Sequence, residues 1–147
     1  MHILDQQAPG LTEKLAKLLV SQRRQLVAKV CELASRAMPD PGPEVRLLLE
    51  TISRDNFLPA VRVTEVRSMA EAADNLYLAQ REQGMDRQVW LKSFSQARLL
   101  TAVANEFGGS SWQDTADALY ELFHTQDDPT ALITLAEREA AVATGMV

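Results

Sequence analysis

The chain contains few of the residues that usually carry reactive chemistry or covalent cross-links. It has one cysteine, Cys31, and two histidines, His2 and His124, among 147 residues. A single cysteine excludes an internal disulfide and favours a reducing compartment, so we expect a cytoplasmic protein. The first ten residues lack the basic and apolar segments of a secretory signal. No apolar run reaches the ~18 residues of a membrane-spanning helix, so we expect no membrane association.

Patterns typical of β-strands are also missing from the sequence. Five interruptions rich in proline, glycine, asparagine or aspartate separate six segments in which apolar residues recur at helical spacing. The two sharpest interruptions are Pro39–Pro43 and Phe107–Ser111. With 46% hydrophobic and 24% charged residues, the chain can bury a core without a metal or a disulfide. We predict an all-α, single-domain bundle of about six helices with a long N-terminal helix.

The helical domain is predicted to span residues 11–143. Residues 1–10 are expected to form a flexible tail, and residues 144–147 are expected to fray. The first helix should begin near Leu11 and end at Met38, because the proline that follows cannot continue a helix. The later helices are predicted to begin near Pro43, Pro59, Asp86, Ser111 and Asp128.

The first predicted helix carries two apolar stripes separated by the polar stretch Ser21–Gln25. Five polar residues exceed one helical turn, so the helix must bend or leave the core there. An unbroken helix of this length would measure about 40 Å, more than a compact domain of this size covers. We therefore hypothesise that its first turns project and bind another protein or a second copy of the chain. The candidate partner-binding residues are Leu11, Leu15, Leu18, Leu19 and the basic pair Arg23 and Arg24. The alternative is that this helix packs along its own bundle.

The net charge of −5 is unevenly distributed along the sequence. Residues 1–42 carry six basic and four acidic groups, a balance of +2. From Asn105 onward, eight acidic groups face one basic group, Arg138, which gives −7. This last third would repel a polyanion, so a nucleic acid is an unfavourable partner. The acidic surface is compatible with a basic protein partner or with simple solvation.

The sequence offers little support for catalysis or metal binding. Cys31 lies on an apolar stripe, where burial raises the pKa of a thiol and opposes nucleophilic use. His124, Asp127 and Asp128 supply an imidazole and two carboxylates, a set that could hold a divalent metal. Each of the three also has a simpler role at a helix end. We expect no cofactor and no metal, and an enzyme or metal-binding protein with a dispersed site is retained as an alternative.

Residues 101–124 have the spacing of a helix-turn-helix. Ala104 and Gly108 stand four apart before a short turn, and Ser111 begins a predicted capping box for the second helix. This second helix carries acidic residues and neither lysine nor arginine, whereas DNA-reading helices present basic or amide groups. A DNA-binding regulator is therefore an alternative that the charge pattern disfavours.

Aromatic residues concentrate on the fourth and fifth predicted helices. They are Trp90, Phe94, Phe107, Trp112, Tyr120 and Phe123. They could line a ligand pocket, but at helical spacing we expect them in the core, where truncating Trp90 or Phe94 would cost roughly 3–5 kcal/mol. By elimination, the sequence favours a non-enzymatic protein-binding module, such as an adaptor, regulator, chaperone or inhibitor.

Overall fold

The computed structural model describes residues 2–145, which form eight helices and no strand. The helices are α1 (Leu4–Gln7), α2 (Leu11–Ala16), α3 (Val20–Ala37), α4 (Pro43–Asp55), α5 (Ala60–Glu82), α6 (Arg87–Phe107), α7 (Trp112–Phe123) and α8 (Thr130–Ala143). The all-α prediction is confirmed, whereas the number of helices and the long N-terminal helix are not. None of the helices within residues 2–145 has both the length and the apolar composition needed to cross a bilayer.

The predicted long N-terminal helix is broken into α2 and α3. The break lies at residues 17–19, where Leu19 adopts an extended conformation with φ −71° and ψ 156°. The Gln22 side chain accepts a hydrogen bond from the Leu19 N–H at 2.9 Å and so caps the start of α3. The break therefore precedes the polar stretch, which forms the first turns of α3. Because the chain changes direction here, the leucines of α2 face the same core as the apolar residues of α3.

The segment expected to be a tail, of which residues 2–10 are described, contains the short helix α1, while Met1 lies outside the described residues. Leu4 and Ala8 are fully buried in the main apolar cluster. The His2 Nε2 lies 2.6 Å from Oδ1 of Asp117 on α7, so the segment is also held by a polar contact. The prediction of a free tail is therefore wrong, because a few apolar side chains suffice to dock a short segment onto a core. At the other end, Met146 and Val147 of the predicted frayed segment lie outside the described residues.

The core surrounds α3, which packs against α4, α6, α7 and α8. One connected group of buried apolar residues draws on all eight helices. Its largest fully buried side chains include Phe123, Leu48, Ile52, Leu99 and Leu119. Burying a side chain of this size contributes about 1.5–3 kcal/mol, so this cluster supplies the main stabilisation of the fold.

The α6–α7 connection shows why two glycines interrupt the chain. A Cβ atom on Gly108 would lie 2.7 Å from the Ala104 carbonyl oxygen and 2.8 Å from Val63 Cγ1, so α5 packs closely there. A Cβ on Gly109 would lie 2.1 Å from an oxygen of Asp114. That carboxylate accepts the N–H of Ser111 at 3.2 Å, while the Ser111 hydroxyl accepts the N–H of Asp114 at 3.2 Å. The predicted capping box is confirmed, and it occupies the space that a side chain at position 109 would need.

α5 and α6 form an antiparallel hairpin that extends past the core. The buried residues of α5 recur at alternating spacings of three and four, as in a coiled coil, and are Val63, Val66, Ala70 and Ala73. No residue between 74 and 92 is fully buried. We call residues 74–92 the arm. At 1.5 Å per residue, the nine residues that α5 contributes extend it by about 14 Å.

Candidate functional site

The leucine stripe predicted to bind a partner lies mostly inside the core. Leu15 is 0% exposed and Leu18 is 5% exposed, and Leu11 is buried as well. Leu19, at the break between α2 and α3, is 67% exposed. The hypothesis of a projecting leucine stripe is therefore wrong for this fold, because the break turns three of its four members inward.

Arg23 is a buried structural residue. Its guanidinium donates hydrogen bonds to the carbonyl oxygens of Leu18 at 2.5 Å and of Ser110 at 2.7 Å, with a longer contact to Leu15 O at 3.4 Å. Arg23 therefore supplies hydrogen bonds to carbonyl oxygens at the end of α2 and links this end to the α6–α7 connection. Arg24 is half-buried, makes one hydrogen bond of 3.4 Å to the Gly109 carbonyl, and places its guanidinium 5.8 Å from the ring centroid of Phe107. As Arg23 is buried, only Arg24 of the predicted basic pair retains exposed surface.

Beside these arginines lies the carboxylate of Glu106, which is buried within α6. The buried side-chain atoms without a hydrogen-bond partner among the described residues include Glu106 Oε2, Thr115 Oγ1 and Arg24 Nε. Burial raises the pKa of Glu106 to about 7, an effect that the charges of Arg23 and Arg24 only partly offset. The pKa of the Cys31 thiol is raised strongly by burial and further by the Glu106 charge. Cys31 therefore has the character of a small core residue, not of a nucleophile.

The His124, Asp127 and Asp128 cluster lies in the α7–α8 connection, where each member already has a protein partner. His124 Nδ1 lies 2.7 Å from the Tyr120 carbonyl oxygen, and Asp127 accepts two hydrogen bonds from Arg87 at 2.9 and 3.0 Å. Hydrogen bonds from the side chain and backbone of Thr130 lower the pKa of Asp128. Within residues 2–145, no group of three or more His, Cys, Asp and Glu side chains could hold a metal ion.

This cluster forms one wall of an open cavity of about 490 Å³. The opposite wall is aromatic: the ring of Tyr77 lies 5.7 Å from that of Trp90 and 5.1 Å from that of Phe94, measured between centroids. The ends of α3 and α7 close the cavity, at Ala37–Pro39 and at His124. We call this space the aromatic cavity. It brings together the two features that the sequence offered as possible ligand sites.

The six aromatic residues predicted for the core divide into two groups. Phe107 and Phe123 are buried in the main cluster, and Trp112 and Tyr120 pack against it while partly buried. Trp90 and Phe94 lie outside that cluster, are half-buried and line the aromatic cavity. Their assignment to the core is therefore wrong, because they lie at the base of the arm, outside the main apolar cluster and beside the C-terminal ends of α3 and α7.

The opposite flank of the arm carries an apolar groove of about 560 Å³. Leu76 on α5 and Val89 on α6 line it and are 52% and 44% exposed. Its other lining side chains are polar, namely Gln80, Gln88, Lys92, Ser93 and Gln96. Lys92 forms no direct ion pair with an acidic residue that the structure describes, although its charge contributes to lowering the pKa of Asp40. We call this surface the arm groove. The sequence alone does not identify this groove, because Leu76 has the helical spacing of a core leucine. Only the structure shows that the α5–α6 hairpin extends beyond the core at this position.

The helix that would read DNA in a helix-turn-helix is mostly buried. α7 directs Thr115, Ala116, Leu119 and Leu122 into the core. Its exposed positions are Gln113 and Asp117, Asp114 is half-buried, and α7 contains no lysine or arginine. This surface offers phosphates no positive charge.

No protein family, curated protein or solved structure matches this chain. Two surfaces of the described residues remain as candidate sites, the arm groove and the aromatic cavity. They lie on different flanks of the same hairpin and differ in chemistry, since the groove carries exposed aliphatic residues and the cavity combines aromatic rings with carboxylates.

Proposed function

We propose that the chain is a non-enzymatic protein-binding module that receives an amphipathic helix of a partner protein in the arm groove. The observation that carries this proposal is the exposure of Leu76 and Val89 on either side of a groove between two helices. Exposed apolar residues that are gathered in a concave surface are typical of an interaction site, whereas scattered ones are not. Two parallel ridges of helix side chains also provide the shape that a third helix can fill.

The polar residues of the groove suggest which kind of helix fits. Gln80 is committed to the Ser93 hydroxyl at 2.8 Å, and Gln96 donates to the Pro41 carbonyl at 3.2 Å. Lys92 is the one charged side chain among the groove-lining residues, and its charge, which also acts on Asp40, is available to a carboxylate of a partner. The partner helix we propose therefore has an apolar stripe with a neighbouring Asp or Glu. A second copy of this chain is a less favourable occupant, because each copy carries a net charge of −5.

Two leucines on the arm allow a matched test of this proposal. Leu76 lines the groove at 52% exposure, while Leu78 is 55% exposed and is not one of the groove-lining residues. After capture and identification of a partner from the native cell, the purified pair is titrated by calorimetry. We expect Leu76→Glu to weaken binding at least about tenfold and Leu78→Glu to leave it unchanged, with both variants folded. Equal affinity of the wild type and both variants would refute the arm groove as the binding surface.

Light scattering of the purified protein tests the second-copy alternative. A dimer that Leu76→Glu dissociates and Leu78→Glu preserves would make the chain its own partner.

The role as adaptor, regulator, chaperone or inhibitor follows from the identity of the captured protein. The DNA-binding alternative has the acidic α7 surface against it. For the metal-binding alternative, no group of three or more ligating side chains lies within residues 2–145.

A further inference from the structure

We infer that the aromatic cavity binds an organic cation, either an ammonium or a guanidinium group. The cavity is separate from the arm groove, since the two share no lining residue, and this inference does not depend on the proposed function. A volume of about 490 Å³ is sufficient for a small amine or for the side chain of a lysine or arginine.

The aromatic wall favours positive charge. The faces of Tyr77, Trp90 and Phe94 carry the negative part of the ring quadrupole, which attracts a cation within about 6 Å. The protein already uses this attraction, because the guanidinium carbon of Arg81 lies 5.0 Å from the Trp90 ring centroid. Arg98 stands 5.7 Å from the ring of Phe94. Arg81 also stands 6.0 Å from the ring centroid of Tyr77, so each of the three rings has an arginine of the protein beside it, although neither arginine lines the cavity.

The polar wall adds electrostatic attraction of the same sign. Asp127 and Asp128 both line the cavity, and the C-terminal ends of α3 and α7 border it. A helix C-terminus carries a partial negative charge, which stabilises a nearby cation. The carboxylates, the helix ends and the ring faces come from separate segments of the chain, and all three favour a positively charged ligand.

Arg87 is the one arginine or lysine among the residues that line the cavity, and it supplies the sharpest test. It is exposed and pairs with Asp127, so it holds one carboxylate that a ligand would use. We regard Arg87 as an internal competitor for the cation site. Its removal should then strengthen the binding of a cation, whereas it would abolish the binding of an anion that uses Arg87 directly.

The experiment uses the full chain and three probes, two cationic and one neutral. Agmatine supplies a guanidinium and a free primary ammonium, N-acetyl-arginine amide supplies the guanidinium of a peptide side chain alone, and N-acetyl-citrulline amide is the neutral isostere of the arginine amide. Binding is followed by calorimetry and by the two tryptophan indole N–H signals in a ¹⁵N–¹H spectrum. We expect the Trp90 signal to shift with both cations and the Trp112 signal to stay in place. Trp90→Phe assigns the signals.

Variants then separate a cation site from a general pocket. We expect Asp127→Asn and Asp128→Asn to weaken agmatine binding about 3- to 10-fold, and Arg87→Ala to strengthen it by a similar factor. Binding by agmatine but not by the amide would identify a free amine as the ligand, and binding by the amide would identify a protein side chain. The inference is overturned if the citrulline amide binds as well as the arginine amide, if Arg87→Ala weakens agmatine binding, or if neither cation shifts the Trp90 signal.

Discussion

Arg23 is a charged side chain in the interior of the protein that stabilises the fold by hydrogen bonding to backbone carbonyl oxygens. Arg23 spans three carbonyl oxygens from two parts of the chain, and no apolar residue could satisfy them. Adjacent basic residues in a sequence suggest an exposed binding pair, because the sequence does not show that the helix breaks nearby and leaves carbonyls to be capped. The difference between Arg23 and Arg24 arises entirely from the tertiary fold.

We predict that Arg23→Ala destabilises the protein by about 2–4 kcal/mol, since it leaves buried carbonyl groups without donors. Arg24→Ala is the matched control, and it should cost only about 1 kcal/mol because this arginine loses one long hydrogen bond and a cation–π contact with Phe107. Urea unfolding of the two variants measures both values. Equal destabilisation would contradict the role assigned to Arg23.

Glu106 should make the stability of the fold depend on pH. Its pKa rises from 4.5 to about 7 on folding, so between these values the folded state keeps a proton that the unfolded state has lost. Stability therefore decreases as pH rises through this window. Glu106→Gln removes the effect, and we expect its advantage over the wild type to grow from pH 4.5 to 7 and then level off, on the order of 3 kcal/mol. Parallel pH profiles of the two proteins in urea unfolding would rule this out.

At the scale of helices, most boundaries could be predicted from sequence and the first helix could not. Pro43, the Ser111–Asp114 capping box and Gly108 mark helix ends by backbone chemistry that acts locally. The break at residues 17–19 contains no proline or glycine. It is stabilised by contacts distant in sequence, namely the buried Leu15 and Leu18 and the hydrogen bonds of Arg23. Local patterns do not report such contacts.

The break predicts opposite effects for two leucines of the original stripe. Leu15→Glu places a charge in the core and should prevent folding, because burying an unpaired carboxylate costs several kcal/mol. Leu19→Glu changes a residue that is 67% exposed and should leave stability within about 0.5 kcal/mol. Circular dichroism and thermal melts distinguish the two. A folded Leu15→Glu variant would indicate that α2 is not packed as described.

The two aromatic groups also predict different energetic costs. Phe123→Ala removes a fully buried ring and should cost roughly 3–5 kcal/mol. Trp90→Ala removes a half-buried ring from the arm, outside the main cluster, and should cost less than half as much. Denaturant midpoints of the two variants provide the comparison, and a larger loss for Trp90 would place it back in the core.

On the scale of the whole molecule, the sequence predicts the class of fold and does not locate its sites. Composition and helical spacing are properties that short windows of residues reveal, and they suffice for an all-α chain. The arm groove and the aromatic cavity depend on where the α5–α6 hairpin extends past the core. This position depends on contacts between helices that are distant in sequence, so a short stretch of sequence does not reveal it. His124, Asp127, Trp90 and Phe94 were recognisable as candidate ligand residues, but only the fold brings them to one cavity.

The central claim is that the groove flank of the arm contacts a partner protein, and site-specific photo-crosslinking in the native cell tests it most directly. A photoreactive phenylalanine analogue replaces Leu76 in one protein and Leu78 in a matched control. We predict a discrete covalent adduct with one partner protein from position 76 and none from position 78. No adduct from position 76, or the same adducts from both positions, would contradict the account.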